Sequence, residues 1–220
     1  MRAQRNIITK GRLAVILVIL ILLTDQAIKI WVKTSMCLHE SIHVTDWFNI
    51  LFIENMGMAF GMQLGSKILL SLFRVVAIAF LGYYIWLQVR KNARTGYIVC
   101  LSMVLAGAAG NLIDCMFYGL CFANSSEFYV SYFVPFGTGY APFLMGKVVD
   151  MFYFPLIETE WPLWMPLVGG DHFVFFSPVF NFADSSISVG VVLLLLFYRK
   201  EVSQITLKKK APVEEPISEE

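Results

Sequence analysis

The sequence predicts an all-α membrane protein, a four-transmembrane-helix bundle with an extracytoplasmic elaboration, a small β/loop region, between helices three and four. Three observations predict it. First, 58% of the residues are hydrophobic and only 15% charged, with a mean hydropathy of +0.68, far outside the range of soluble domains. Second, four segments have the length and apolarity of spanning helices, about 20 residues at 1.5 Å rise across a hydrocarbon core of roughly 30 Å. Third, the basic residues sit at the ends of these segments rather than along one binding face, which reads as topology and gives no basis for a nucleic-acid partner at a net charge of +1.

Helix one is expected over residues 13–32, preceded by Arg2, Arg5, Lys10 and Arg12. It has the flanks of a secretory leader but no small-residue cleavage site after the apolar run, so it is read as a retained membrane helix. Helices two and three, residues 68–89 and 96–116, are joined by a short turn carrying Arg90, Lys91 and Arg94; helix four, residues 182–198, is followed by Arg199 and Lys200. Cytoplasmic loops carry the excess of Lys and Arg. Both termini are therefore expected in the cytoplasm, with outer loops at 33–67 and 117–181. The second outer loop agrees, with Glu127, Asp150, Glu158, Glu160 and Asp171 against Lys147 alone.

That loop is too long and too aromatic for a simple connection. Trp161 and Trp164 suit the headgroup level of a membrane surface, and the run KVVDMFYFP reads as a short strand or buried turn that places Asp150 among apolar neighbours. Residues 1–201 form one domain in this reading. The tail, 202–220, has blocks of charge and no periodic apolar face, and disorder is expected there.

Depth follows from topology. Asp25 lies in the outer half of helix one, Asp114 near the outer end of helix three, and Asp184 at the outer start of helix four. An acid inside a spanning segment costs roughly 2.5–3.5 kcal/mol on insertion scales, so it must face protein or water and is a functional candidate by default. Lys29, one helical turn after Asp25, and Arg74 share this level as potential counter-ions.

Two carboxylates in a partly dry site cannot both ionise, so they share a proton and act as general base and general acid on a water molecule. Any pair among Asp25, Asp114, Asp150 and Asp184 could do this, and spacing does not choose among residues from different segments. Acids paired with Lys and Arg also build proton relays, so a proton-coupled permease is a second reading, although four helices without an internal repeat or broken-helix pair fit it poorly. A non-catalytic membrane scaffold is a third. No GxSxG or phosphate-binding glycine loop is present, and the His-Glu-Ser-Ile-His letters at 39–43 lie in an outer loop rather than on the helix that would bring both imidazoles of an HExxH zinc motif to one face. His39, His43 and His172 are scattered over the outer loops. Cys37, Cys100, Cys115 and Cys121 lack metal-ligand spacing, while Cys115 and Cys121 could pair near the oxidising side.

Five short motifs occur in order along the helices and loops: TDQAIK around Asp25, NMGMAFG from Asn55, GAAGNLID ending at Asp114, KVVDM around Asp150, and FNFADSSI around Asp184. Together they resemble lipoprotein signal peptidase, the type II signal peptidase of bacteria. The resemblance implies an intramembrane aspartyl endopeptidase that removes the signal peptide from diacylglyceryl-modified prolipoproteins, cutting just before the lipidated cysteine. It implies no cofactor and no metal, contact with membrane lipids, inhibition by cyclic peptides such as globomycin, and a place in the bacterial cytoplasmic membrane with the site toward the outer leaflet. The catalytic pair falls on Asp150 and Asp184. Supporting or substrate-binding positions fall on Asp25, Lys29, Asn55, Gly57, Asn111, Asp114 and Asn181.

Blander roles stand beside these. Asp114 suits a helix-end acceptor supporting the site, Asp25 with Lys29 an intrahelical ion pair that fixes packing, and the glycines Gly107 and Gly110 of AGAAG close helix contact rather than ligand binding. Two features depart from the family pattern. Cys115 stands where the family commonly has Arg, and Asp114 and Asp150 are 36 residues apart, a much longer separation than is usual. The insert, roughly 119–147, is expected to form an extracytoplasmic flap or cap.

Overall fold

The computed structural model describes residues 2–56, 67–166, 170–175 and 177–207. Helix α1 (Arg2–Ser35) is followed by a hairpin of β1 (Ser41–Thr45) and β2 (Phe48–Asn55), then α2 (Lys67–Arg90) and α3 (Thr95–Ile113). Helix α3 passes without a break through a π-helical turn (Asp114–Tyr118) into a last short turn, α4 (Gly119–Cys121). Strands β3 (Val148–Tyr153), β4 (Ile157–Glu160), β5 (His172–Phe175) and β6 (Val179–Phe180) precede α5 (Phe182–Phe197) and α6 (Arg199–Leu207).

Among the described residues, three helical segments, Thr9–Ser35, Lys67–Arg90 and Thr95–Cys121, are long and apolar enough to cross a membrane. The expected fourth, α5, is apolar but has only 16 residues, below the usual ~20. Helix α1 runs past its expected 13–32 at both ends, and helix three past 116, because the π turn lets the chain continue without breaking its hydrogen bonding. Residues 199–207 are helical, including the first part of the stretch expected to be disordered; 208–220 lie outside the described residues.

Helix α3 is central, packed on α1, α2 and α5. Small residues allow this. A Cβ on Gly107 would lie 2.3 Å from the Ala183 carbonyl oxygen of α5, and one on Gly190 of α5 would lie 2.9 Å from the Cys100 carbonyl oxygen. Without a hydrophobic driving force between helices in lipid, such close approach supplies the packing energy. At the end of the bundle near both chain termini, Ala14, Ile85, Val89, Tyr97, Ile98, Leu101 and Leu194 form one core. Lys10 Nζ there closes the α2–α3 turn on Asn92 Oδ1 (2.8 Å) and the Ala93 carbonyl (2.7 Å). Leu20, Leu23, Phe73, Val76, Phe80, Leu195 and Leu196 face outward, as side chains solvated by hydrocarbon should.

The opposite end carries the sheet, antiparallel throughout in the order β1-β2-β3-β6. Half of it comes from the first outer loop, where the sequence reading placed no strand; the β region is thus not confined to the segment between helices three and four. Its core is Val32, Met36, Phe52, Tyr118, Phe122, Val149 and Met151. KVVDM does form a strand, and β2 pairs with it so that Ile53 lies opposite Asp150, Glu54 opposite Val149 and Asn55 opposite Val148. The 119–147 insert folds back on itself, with Ala123 N–H to Tyr132 O (2.9 Å), Val134 N–H to Cys121 O (2.8 Å) and Ala141 N–H to Gly119 O (3.0 Å). All four cysteines are free, so Cys115 and Cys121 do not pair.

Candidate active site

The site is assembled where α5 begins. FNFAD is a helix start: Asn181 is the N-cap of α5, its Oδ1 accepting from Asp184 N–H (2.9 Å), while Asp184 Oδ2 accepts the Asn181 N–H (3.4 Å). This capping box satisfies donors that a helix start leaves open. It also leaves the Asn181 amide nitrogen free to point elsewhere. Nδ2 donates to Asp150 Oδ1 (2.6 Å) and to Asn111 Oδ1 (3.0 Å).

Asp150 and Asp184 are therefore bound to the same asparagine. Each carboxylate oxygen has a named donor. Asp150 Oδ2 accepts from Asn55 Nδ2, and Asp184 Oδ1 accepts from Asn111 Nδ2 (2.7 Å). Asp150 is 2% exposed; Asp184 is half-buried and lines a groove of about 290 Å³ between α2, α3 and α5, together with Phe73, Arg74, Val104 and Asn111. Burial first, and then the Asp184 charge, push the Asp150 carboxyl up to about 7, against the Asn181 hydrogen bond and the Lys29 charge that favour ionisation; Asp114 adds to the upward push.

Beneath this pair lies a second layer. Lys29, fully buried, uses its three N–H donors on Asp114 Oδ2 (2.8 Å), Asp25 Oδ2 (3.0 Å) and Asn111 Oδ1 (2.8 Å). Asp25 Oδ1 in turn accepts from the backbone N–H of Ala183 (2.9 Å), and Asp114 Oδ2 from that of Val149 (3.4 Å). Each of these acids thus holds the residue immediately before one member of the Asp150–Asp184 pair. The i,i+4 ion pair expected of Asp25 and Lys29 within α1 exists, and Lys29 extends it to Asp114 at the end of α3.

Two partners were not foreseen. Gln26, inside the TDQAIK motif, reaches Asp25 Oδ2 (3.1 Å) and Asp114 Oδ1 (3.0 Å) with Nε2 and takes the Tyr118 hydroxyl on Oε1 (3.1 Å). Arg74, expected as a counter-ion, has Nη1 3.3 Å from the Sγ of buried Cys115. Gly57 lies outside the described residues. Among the described residues, no three His, Cys, Asp or Glu side chains are grouped to hold a metal ion.

The family described as Signal peptidase (SPase) II matches residues 17–199, which is most of the chain. This chain belongs to the signal peptidase II family. It is 51% identical over 202 residues to the lipoprotein signal peptidase of Porphyromonas gingivalis, covering 91% of this chain and 89% of that one. To the lipoprotein signal peptidase of Amoebophilus asiaticus it is 35% identical, over 88% and 80% of the two chains. Among solved structures, a bacterial membrane enzyme determined by the in meso method at 2.3 Å resolution is similar in fold, with a TM-score of 0.55 and 23% identity over 92% of this chain and 94% of that one. As a member of the signal peptidase II family, the protein is a membrane peptidase of the class that processes prolipoproteins.

Proposed function

We propose that this protein is an intramembrane aspartyl endopeptidase that removes the signal peptide from diacylglyceryl-modified prolipoproteins, cutting just before the lipidated cysteine, with Asp150 and Asp184 as its catalytic pair. One observation supports the reading: the Asn181 side chain donates to the Asp150 carboxylate and accepts the Asp184 backbone N–H, while the Asn181 backbone N–H donates to the Asp184 carboxylate, so a single residue ties together the two segments that carry the acids. Asp150, with its affinity for a proton raised, is the acid. Asp184, at the groove, is the base.

In the first step Asp184 takes a proton from water, the hydroxyl oxygen bonds to the scissile carbonyl carbon, and Asp150 protonates the carbonyl oxygen. Collapse of the tetrahedral species breaks the C–N bond as Asp184 passes the proton it took from water to the leaving amine and Asp150 recovers its proton from the hydroxyl it had protonated. Asn55 and Asn111, already hydrogen-bonded to the acids, hold the carboxylates in place; Gly57 is assigned to substrate contact through the family motif.

Helix α5 is the fourth crossing in this reading. At 16 residues and 1.5 Å rise it spans about 24 Å, which sets its capped start, and Asp184 with it, below the outer membrane surface. The apolar face of the groove then admits lipid-borne substrate from the bilayer. Both termini lie in the cytoplasm and the site toward the outer leaflet of the bacterial cytoplasmic membrane, and cyclic peptides of the globomycin type occupy the same cleft.

The test compares a lipidated prolipoprotein with its unlipidated precursor, using purified protein in detergent and mass spectrometry of the products. Cleavage of the lipidated form alone, with the cysteine as the new N-terminus, is expected. Cleavage elsewhere, or none of either form, contradicts the reading.

A further inference from the structure

A second buried ionic cluster lies outside the catalytic layer. Glu54, whose side chain is 2% exposed, sits between two lysines. Lys33 Nζ pairs with Glu54 Oε1 and donates to Ser125 Oγ (2.8 Å), and Ser125 Oγ donates to Glu54 Oε1 (2.8 Å). Lys147 Nζ donates to Glu54 Oε2 (3.0 Å) and to Asn124 Oδ1 (3.3 Å). Aromatic rings close the space, with Lys33 5.3 Å and 5.1 Å from the Phe122 and Tyr140 ring centres. Burial pushes the Glu54 carboxyl up, but Lys33 and then Lys147 outweigh it and hold the group below its ordinary range.

Every residue of this cluster other than Lys33 and Glu54 belongs to the 119–147 insert. The same insert touches three further elements through its last residues. Leu144, at φ 67°, a conformation costly for a branched side chain, gives its carbonyl to Ser71 Oγ of α2 (2.9 Å). Gly146 donates its N–H to the Cys115 carbonyl (2.9 Å), and a Cβ there would lie 2.2 Å from the Asp114 carbonyl oxygen. Lys147 then enters β3, whose Val148 and Val149 pair with Asn55 and Glu54.

We infer that residues 144–147 are a strap joining α2, the π turn of α3 and β2, and that its ionic anchor, Glu54 with Lys147 and Lys33, is a positioning device for the reaction: it fixes the end of β2 so that Asn55 meets Asp150. Glu54 and Lys147 touch neither substrate nor reacting atoms in this assignment. They act through Asn55, the residue next to Glu54 in the chain. The inference rests on the aspartyl-protease reading for its catalytic consequence and on geometry alone for the anchor itself.

Two readouts on detergent-purified full-length protein separate these parts: cleavage of lipidated prolipoprotein across a pH series, and hydrogen exchange of residues 119–149. In Glu54→Gln and Lys147→Gln the insert is expected to lose protection, kcat to fall about 10- to 100-fold with KM changed far less, and the alkaline limb of the rate profile to move upward. That limb moves because Asn55 favours the ionised form of Asp150, which otherwise faces Asp184, Asp114 and Lys29. Lys147→Arg keeps the charge and restores both readouts.

Unchanged protection in Glu54→Gln overturns the anchor. Lost protection with an unchanged kcat and pH profile overturns the positioning role. Should Glu54→Gln fail to fold, Ser125→Ala, which removes only the bridging hydroxyl, gives the same two decisions in milder form. A wild type that cleaves nothing contradicts the protease reading instead, and the exchange data still decide the anchor.

Discussion

Asn181 donates its side-chain amide to Asp150 at 2.6 Å while its carbonyl oxygen caps the helix that carries Asp184. One residue thus does three things: it starts α5, orients Asp184 as the third residue of a capping box, and holds Asp150 in place from another segment. Asn181→Ala is expected to lose roughly 1 kcal/mol from the missing cap and, separately, activity by about 10²-fold from a misplaced carboxylate. Thermal unfolding and single-turnover cleavage check the two effects. A drop in stability with full activity would contradict the orienting role.

The raised affinity of Asp150 for a proton has a sign that can be read in stability as well as rate. Its folded value of about 7 stands above the ordinary 3.8, so between these limits the folded state holds a proton that the unfolded chain releases. Stability from this group is full below about 3.8 and is lost as pH rises to about 7. Activity that needs Asp150 protonated falls above about 7. Asp150→Asn removes the buried charge and is expected to be inactive, yet to unfold at a higher temperature than the wild type at pH 8; equal or lower unfolding temperatures would contradict the assignment.

Lys29 is the most heavily used cation of the site, with two carboxylates and one amide on its three donors. Lys29→Met leaves Asp25 and Asp114 buried together without a charge partner, and a loss of roughly 3–5 kcal/mol is expected. Asp25→Asn keeps the Lys29–Asp114 pair and is expected to cost clearly less. Detergent-solution melting curves of the two variants, compared with wild type, decide the order.

Gly107 carries no ligand role in this account. A Cβ there meets the Ala183 carbonyl of α5, one residue before Asp184. Gly107→Leu is expected to push α5 off α3, lowering both stability and activity, whereas a substitution at Gly82, where a Cβ meets nothing within 4 Å, leaves both within error. Melting and cleavage assays on the pair test this contrast.

Much of this was legible in the chain. The Lys and Arg flanks of the helices suggest one level for Asp25, Asp114 and Asp184, and Lys29 with Asn111 does link the three; the N-x-x-D spacing of FNFAD carries its own capping geometry. Convergence of Asp150 on Asp184 was not legible from periodicity, since it depends on a sheet whose first two strands precede α2. Those strands left a signal: SIHVT and FNILFIEN are rich in β-branched and aromatic residues and are separated by Asp46-Trp47 alone. The anchor around Glu54 left less. Lys33 stands one turn after Lys29 and reads as a helix-end cation, and nothing local shows that Lys147, 93 residues beyond Glu54, closes on the same carboxylate.

The most direct test of the central claim is cleavage of a diacylglyceryl-modified prolipoprotein by wild type, Asp150→Asn and Asp184→Asn, each first shown to be folded by its melting curve. Loss of activity by about 10²-fold or more in both variants is predicted. Retention of wild-type cleavage in either variant would contradict the pairing of Asp150 with Asp184.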